Sequence, residues 1–447
     1  MKAQSAPNVT SNVPLNRAHR QVESVEEILR QIRTAAAFPL ERATTLPAET
    51  YTSDAFFEWE MKNILHKDWL CLAHVSQLPN PGDFITLDVV GEPLLVVHGK
   101  DGVFRALSRV CPHRAMDILP PGFEVPGQNI AEGRSGHDCA GHTRLFMCPY
   151  HAWTFELDGK LKGSPEMHLA ECFDRSEIGL KSFRTELWNG FVFVNFNGAA
   201  EPVASLYAEM SEDVAAWNPE ELVAVVEMAW DCEFNWKVLV ENFMECYHHI
   251  GAHAKTLQPL MPARECWTEE ERATYVRGHL PLKQAALDEL NRAAAAGREF
   301  PIFDGLGPQK GTEWGLFIGY PSFLLFAGPN QFIWYRIDPL SADRSRLLTT
   351  ILVPKSYLAL PQFDACKETA SKALVEFHGE DMDTCTAVQR GFYSSAFHRG
   401  RLSHLEMPVW LFYRYLAARS KGVWPTEQTS SAPSQNGRVG PIPVAAT

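Results

Sequence analysis

The chain has no stretch of about 18 consecutive apolar residues, so its sequence offers no membrane-spanning helix. The nearest approach, "WGLFIGYPSFLLFAG" at 314–328, is interrupted by Gly315, Gly319, Pro321 and Ser322 and reads as sheet strands. Excess positive charge is missing too. Across 447 residues, 41 Lys and Arg face 54 Asp and Glu, a net charge of −13 that is the wrong sign for a phosphate-backbone partner. The opening "MKAQSAPNVTSNVPLNRAHR" lacks the apolar core of a secretory signal, which makes a cytoplasmic location the expectation. No glycine-rich nucleotide fingerprint and no internal repeat is present. Ten scattered cysteines, without such a signal, are expected as free thiols rather than disulfides.

What remains is an apolar share of 45%, enough for a large core and two domains. Ser24 and Glu27 form a capping box ahead of an amphipathic helix, and a second helix starts at Ser53 or Asp54. From residue 83 the pattern alternates, as in "DFITLDVV" and "PLLVVHG", and "FELDGKLKG" is a hairpin about Asp158 and Gly159. Residues 202–255 read as helical, 314–353 as strands, and 362–390 and 403–419 as helices. The fold class is therefore α+β, a small all-β domain followed by a larger domain of antiparallel sheet and helices. The expected division is an arm at 1–45, a β domain at 46–185, a second domain at 186–424 and a disordered tail at 425–447.

Two constellations carry chemistry. Cys111-x-His113 and Cys148-x-x-His151 supply two thiolates and two imidazoles, a donor set for zinc or for a [2Fe–2S] cluster. Cys139-x-x-His142, in the 34-residue gap between the pairs, is a rival pair expected to belong to an inserted surface loop. The second stretch is "FNWKVLVENFMECYHHIGAH" at 234–253. On a continuous helix Glu241, Glu245 and His248 share one stripe. His253 joins His248 on one ion only if the chain bends, with Gly251 as the expected bend. Two histidines and a carboxylate with open positions opposite make the facial triad of non-haem Fe(II) oxygenases.

"CPHR…CPYHAWTFELDGKL" and "NWK…EN…ECYHHIGAH" together resemble the Rieske non-haem iron oxygenases, specifically the terminal oxygenase alpha subunit of the aromatic ring-hydroxylating superfamily. The resemblance spans about residues 50–420. It implies a Rieske cluster on Cys111, His113, Cys148 and His151, and one mononuclear Fe(II) per subunit on His248, His253 and a distant aspartate. Alignment on Gln389 makes that aspartate Asp381, with Asp383 the alternative. The resemblance further implies Asn242 near the iron, and Glu245 as a catalytic bridge to the neighbouring subunit's cluster.

The strands near 314–336 match the family's pocket wall, offering Trp314, Phe317, Phe323, Phe326 and Trp334 as lining residues. The implied activity is hydroxylation of a small organic substrate with O₂, most naturally aromatic ring hydroxylation or dihydroxylation. The alternative is monooxygenation or oxidative demethylation of a quaternary ammonium compound, to which the "ENFxECYH" form is similar. A bare Rieske electron carrier is a distant third, and a zinc-stabilised interaction protein would lack colour and iron. The expected partners are an NAD(P)H-dependent reductase or ferredoxin and two further copies in a homotrimer, with room for a small beta subunit.

Overall fold

The computed structural model describes residues 23–120, 129–132 and 139–424. The expectations for the first 22 residues and for the tail beyond 424 lie outside them. Eleven strands come first. They are β1 (Leu70–His74), β2 (Asp83–Val89), β3 (Glu92–His98), β4 (Phe104–Ser108), β5 (Asn129–Glu132) and β6 (Cys139–His142). β7 (Phe146–Met147), β8 (Thr154–Phe155), β9 (Leu161–Gly163), β10 (Ser182–Trp188) and β11 (Phe191–Asn195) follow. Eight of them form one sheet in the order β1-β11-β10-β4-β3-β2-β6-β5, and β7-β8-β9 form a small second sheet.

Cys139 and His142 are not in a loop: they bound β6, which pairs with β2 and, with β5, extends the sheet at its edge. The His142 ring nitrogen Nδ1 lies 2.9 Å from Asp83 Oδ1, so this imidazole is tied to the sheet edge.

A seven-stranded antiparallel sheet forms the second half. It runs β12-β18-β17-β16-β15-β14-β13, with β12 (Leu222–Cys232), β13 (Trp267–Thr268), β14 (Tyr275–Pro281) and β15 (Glu313–Gly319). β16 (Phe323–Ala327), β17 (Phe332–Ser341) and β18 (Arg344–Pro354) complete it. β12 corrects the helical reading of 202–255. A register shift between Ala224 and Val226 disturbs its alternation, which hides an 11-residue strand from a periodicity reading.

The helices packed around the sheets include α1 (Val25–Ala37), α2 (Asp54–Glu60), α3 (Trp236–Met244), α4 (Phe363–Phe392) and α5 (Met407–Arg419). Ser24 caps α1 by accepting from the Glu27 amide at 3.3 Å, and Ser53 caps α2 through the Phe56 amide. α1 packs on α5 through Ile28, Leu29 and Ile32, all buried, each stabilising by about 1.5–3 kcal/mol at most.

α4 is 30 residues long. Its buried positions, Cys366, Ala370, Leu374, His378, Asp381, Cys385, Gln389 and Phe392, recur every three or four residues along one face. Three of these are polar, and a helix buries polar groups only where partners await them. Among the described residues, no helix is long and apolar enough to cross a membrane.

Candidate functional site

The two Cys/His loops are twins. In the first, the Cys111 amide donates to Met116 O at 2.8 Å, and Ala115 N returns to Cys111 O at 3.0 Å. In the second, Cys148 N donates to Trp153 O at 2.8 Å, and Ala152 N returns to Cys148 O at 3.0 Å. Both turns close through an alanine at φ +57, in the left-handed region that ordinary side chains avoid. Such strain persists where surrounding structure holds it, as at ligand clamps.

The turns bury both thiols side by side. Burial, then the neighbouring Cys148 thiol, pushes Cys111 up to about 11. The rings of His113 and His151 meet edge to face at 4.7 Å. Trp153 stacks on His113 at 4.6 Å, Tyr150 covers His151 at 3.8 Å, and the Arg114 guanidinium lies over the Tyr150 ring at 5.2 Å. His151 Nδ1 is buried without a hydrogen-bond partner, as a nitrogen reserved for a ligand bond would be. Two dry thiols, two adjacent imidazoles and an orphaned ring nitrogen fit a [2Fe–2S] group.

The second cluster is assembled from two distant segments. α3 begins where Asn235 caps Lys237 N, and it stops at Met244. Glu245 is already extended, at φ −125 and ψ 164, and Tyr247–Ile250 form a single 3₁₀ turn. The shared stripe therefore does not form. The bend falls at Glu245, ahead of His248, rather than at Gly251. Glu241 turns into the interior, where Tyr51 Oη donates to it at 2.7 Å and burial raises its carboxyl to about 7.

Released from the helix, Glu245 folds back on His248. Its Oε1 lies 2.8 Å from His248 Nδ1, and its Oε2 accepts from the His248 amide at 3.1 Å. With Nδ1 engaged, His248 presents Nε2.

His253 is held the same way, its Nδ1 lying 2.7 Å from Glu380 Oε2, which also accepts from Thr256 Oγ1 at 2.5 Å. His253 Nε2 lies 3.0 Å and His248 Nε2 3.8 Å from the same oxygen, Asp381 Oδ1. The donor atoms of these three residues fall within 4.8 Å of one another. Burial alone would raise the Asp381 carboxyl, but His253, His378 and His248 beside it hold it well below the usual carboxylate range. Two imidazoles, each oriented by a glutamate on its Nδ1, and a carboxylate fit a divalent iron with open positions.

Asn242, Glu245 and Asp381 line one cavity with His248, His249 and His253. Asp383 is exposed on α4 and is not part of the cluster. His249 lines the cavity but is not in the three-residue cluster: its Nδ1 lies 3.2 Å from Met261 O, and burial pushes it down to about 3. Of the expected pocket wall, Phe326 lines the cavity and Trp314 packs behind it at 4.2 Å. Phe317, Phe323 and Trp334 sit on the opposite face of the sheet, in a core with Trp188, Phe191 and Trp217. The two-residue period of a strand decides this: Tyr335, one position beyond Trp334, faces the cavity.

Sequence reading missed Tyr335, Phe243, Phe377, His378 and Glu380. A signal existed only for Glu380, a carboxylate beside the ligand candidate Asp381.

Residues 68–175 match the model of the Rieske [2Fe-2S] domain. Residues 216–422 match the model of the ring hydroxylating alpha subunit catalytic domain. The chain thus carries a Rieske domain followed by a ring-hydroxylating alpha catalytic domain, and its homologues are Rieske oxygenase alpha subunits.

Among relatives, it is similar to the carnitine monooxygenase oxygenase subunit of Acinetobacter pittii, 37% identical over 213 residues, 47% of this chain and 53% of that one. The matched segment thus spans about half the length of that relative. The glycine betaine monooxygenase oxygenase subunit of Pseudomonas aeruginosa is 29% identical over 85% of this chain and 90% of its own. Of solved structures, the quaternary ammonium Rieske monooxygenase CntA with L-carnitine superposes at TM-score 0.70 and 26% identity, covering 87% of this chain and 98% of that one. Naphthalene 1,2-dioxygenase, at 20% identity and TM-score 0.67, shares the fold.

Proposed function

We propose that this Rieske alpha subunit is the oxygenase component of a monooxygenase acting on a quaternary ammonium compound. The observation that carries the reading is the convergence of His248 Nε2, His253 Nε2 and Asp381 Oδ1 on one side of an aromatic cavity. Phe243, Phe326, Tyr335 and Phe377 supply ring faces there, and ring faces attract an alkylammonium by cation–π contact. Glu245 and Asp381 add negative charge, which favours a cation over a neutral arene. The ring-hydroxylation reading gives way to the quaternary ammonium alternative, because the relatives with substantial identity are monooxygenases of carnitine and glycine betaine.

In this reading Cys111, His113, Cys148 and His151 hold the cluster, and His248, His253 and Asp381 hold the iron. When bound, the cluster supplies one-electron storage and the Fe(II) supplies O₂ activation. The overall reaction balances as R–H + O₂ + 2e⁻ + 2H⁺ → R–OH + H₂O. A carbon hydroxylated beside nitrogen then breaks its C–N bond, releasing an aldehyde and the smaller amine. The chain's own side chains bind and orient. The ring faces hold the cationic head, and Glu245 and Glu380 fix which nitrogen each histidine presents.

Electrons come from NAD(P)H through a separate reductase. The working assembly is a homotrimer in which Glu245 bridges His248 and a cluster histidine of the next subunit. Tyr247 and Ile250 beside the iron site and Tyr150 beside the cluster site are 46%, 53% and 51% exposed, apolar surfaces suited to such a contact.

The test is an assay of the reconstituted protein with a generic Rieske reductase against carnitine, glycine betaine, choline, an arene and an aryl carboxylate. Aldehyde and amine release from one of the first three is expected. Turnover of the arene alone would overturn the substrate class, and a colourless, iron-free protein would overturn the whole reading.

A further inference from the structure

His378 is a buried histidine that neither constellation used. It lies on the inward face of α4, one turn before Asp381, and it lines the cavity. Its Nε2 is 3.2 Å from the Tyr335 hydroxyl on β17. Its Nδ1 is buried, has no hydrogen-bond partner, and lies 3.5 Å from Asp381 Oδ2. The two oxygens of Asp381 thus look in different directions. Oδ1 faces the Nε2 atoms of His253 and His248, while Oδ2 faces His378.

Hydrogen-bond accounting sets the tautomer. Tyr335 is buried, and burial pushes its phenol well above the ordinary range, so the hydroxyl keeps its proton. That proton needs an acceptor, and His378 Nε2 is positioned to be one. Nδ1 then carries the ring hydrogen and sets its positive end beside Asp381 Oδ2, 3.5 Å away, an electrostatic contact rather than a hydrogen bond. The opposite tautomer would leave the phenolic hydrogen unmatched and set a nitrogen lone pair against a carboxylate. Buried polar groups avoid both costs.

We propose that His378 is a positioning residue for Asp381: it holds Oδ2 back, so that Oδ1 alone is turned to the two iron-binding histidines, and Tyr335 sets the tautomer that lets it do so. The proposal rests on the reading of His248, His253 and Asp381 as the iron site. An aspartate in mid-helix has several rotamers open to it, and a partner on Oδ2 removes all but one. Such partners of ligating carboxylates govern metal affinity by about 10–100-fold.

The experiment uses the full chain with its cluster in place and the mononuclear iron removed by chelator. Fe(II) affinity is measured by competition titration, and the nitric-oxide adduct of the reloaded site is examined by electron paramagnetic resonance. Cluster absorbance and melting temperature report folding. His378→Leu is expected to bind Fe(II) about 10–100-fold more weakly than wild type, with an altered adduct signal. His378→Asn, whose amide nitrogen can stand where Nδ1 stood, is expected to recover affinity to within a few-fold and restore the signal. Tyr335→Phe should weaken Fe(II) by a few-fold.

Wild-type affinity and signal in His378→Leu would overturn the positioning role, as would an Asn variant no better than Leu. If His378→Leu does not fold, the Asn and Phe variants decide in the same way: Phe equal to wild type overturns the tautomer relay. Wild-type protein that takes up no Fe(II) would instead overturn the iron-site reading beneath it.

Discussion

The two proposed metal sites solve the same problem by opposite means. At the cluster site, each loop closes on itself through backbone hydrogen bonds and a left-handed alanine, so the local chain dictates where its Cys and His point. At the iron site no local element suffices. His248 and His253 both follow a broken helix end, Asp381 and Glu380 come from α4, and Tyr335 from the sheet. A site that only stores an electron can be closed, with both thiols buried and aromatic rings over both imidazoles. A site that must admit substrate and O₂ needs an open side, which here is the cavity.

The sharpest way to break this contrast is to remove one ligand from each site. Cys148→Ser should abolish the cluster's visible absorbance and all turnover, while Cys139→Ser should leave the absorbance unchanged. Asp381→Ala should keep the absorbance yet lose the mononuclear iron, read by metal analysis. Next comes the link between the sites. Glu245→Ala is expected to retain both metals and lose turnover by about 10–100-fold. Product formation at the wild-type rate would remove the bridge.

A smaller effect tests the helix break that separated Glu241 from Glu245. Glu241 is buried among Tyr51, Tyr413, Lys237 and the more distant Glu406, and its carboxyl is raised to about 7 from an ordinary 4.5. Between those values the native state binds the extra proton. Stability is thus unaffected by this group below about pH 4.5, falls as pH rises, and is lowered by about 3 kcal/mol above pH 7. Glu241→Gln should flatten that part of the denaturation-versus-pH curve, and an unchanged slope would show that the carboxyl is not so perturbed. Smallest is the test of the twin turns. Ala115→Gly and Ala152→Gly should each stabilise by about 0.5–1 kcal/mol through relief of the left-handed backbone, with cluster absorbance retained. Unequal behaviour of the two would mean that the turns are not equivalent.

Much of this was legible in the chain. The Cys-Pro loops and the histidine-rich stretch announce themselves because their donors sit within a few residues of one another. Helices α1 and α2 were placed by their serine caps. β12 was not, since its bulge breaks the alternation that marks a strand. Phe317, Phe323 and Trp334 could be read as core or as pocket, with core the favoured reading, because composition shows that a strand is aromatic but not which face is wet. Tyr335 and His378 gave no signal at all: they are 43 residues apart and meet only because β17 lies under α4.

The sequence by itself determined the family, the α+β class and the donor types, since cysteine, histidine and carboxylate chemistry is fixed by residue identity and short spacing. Tertiary structure decided which atom of each residue is available. The break at Glu245, the inward face of α4 and the register of β17 are outcomes of burial and of hydrogen-bond satisfaction across the whole chain. Those forces act between elements far apart in sequence, so no local pattern records their result.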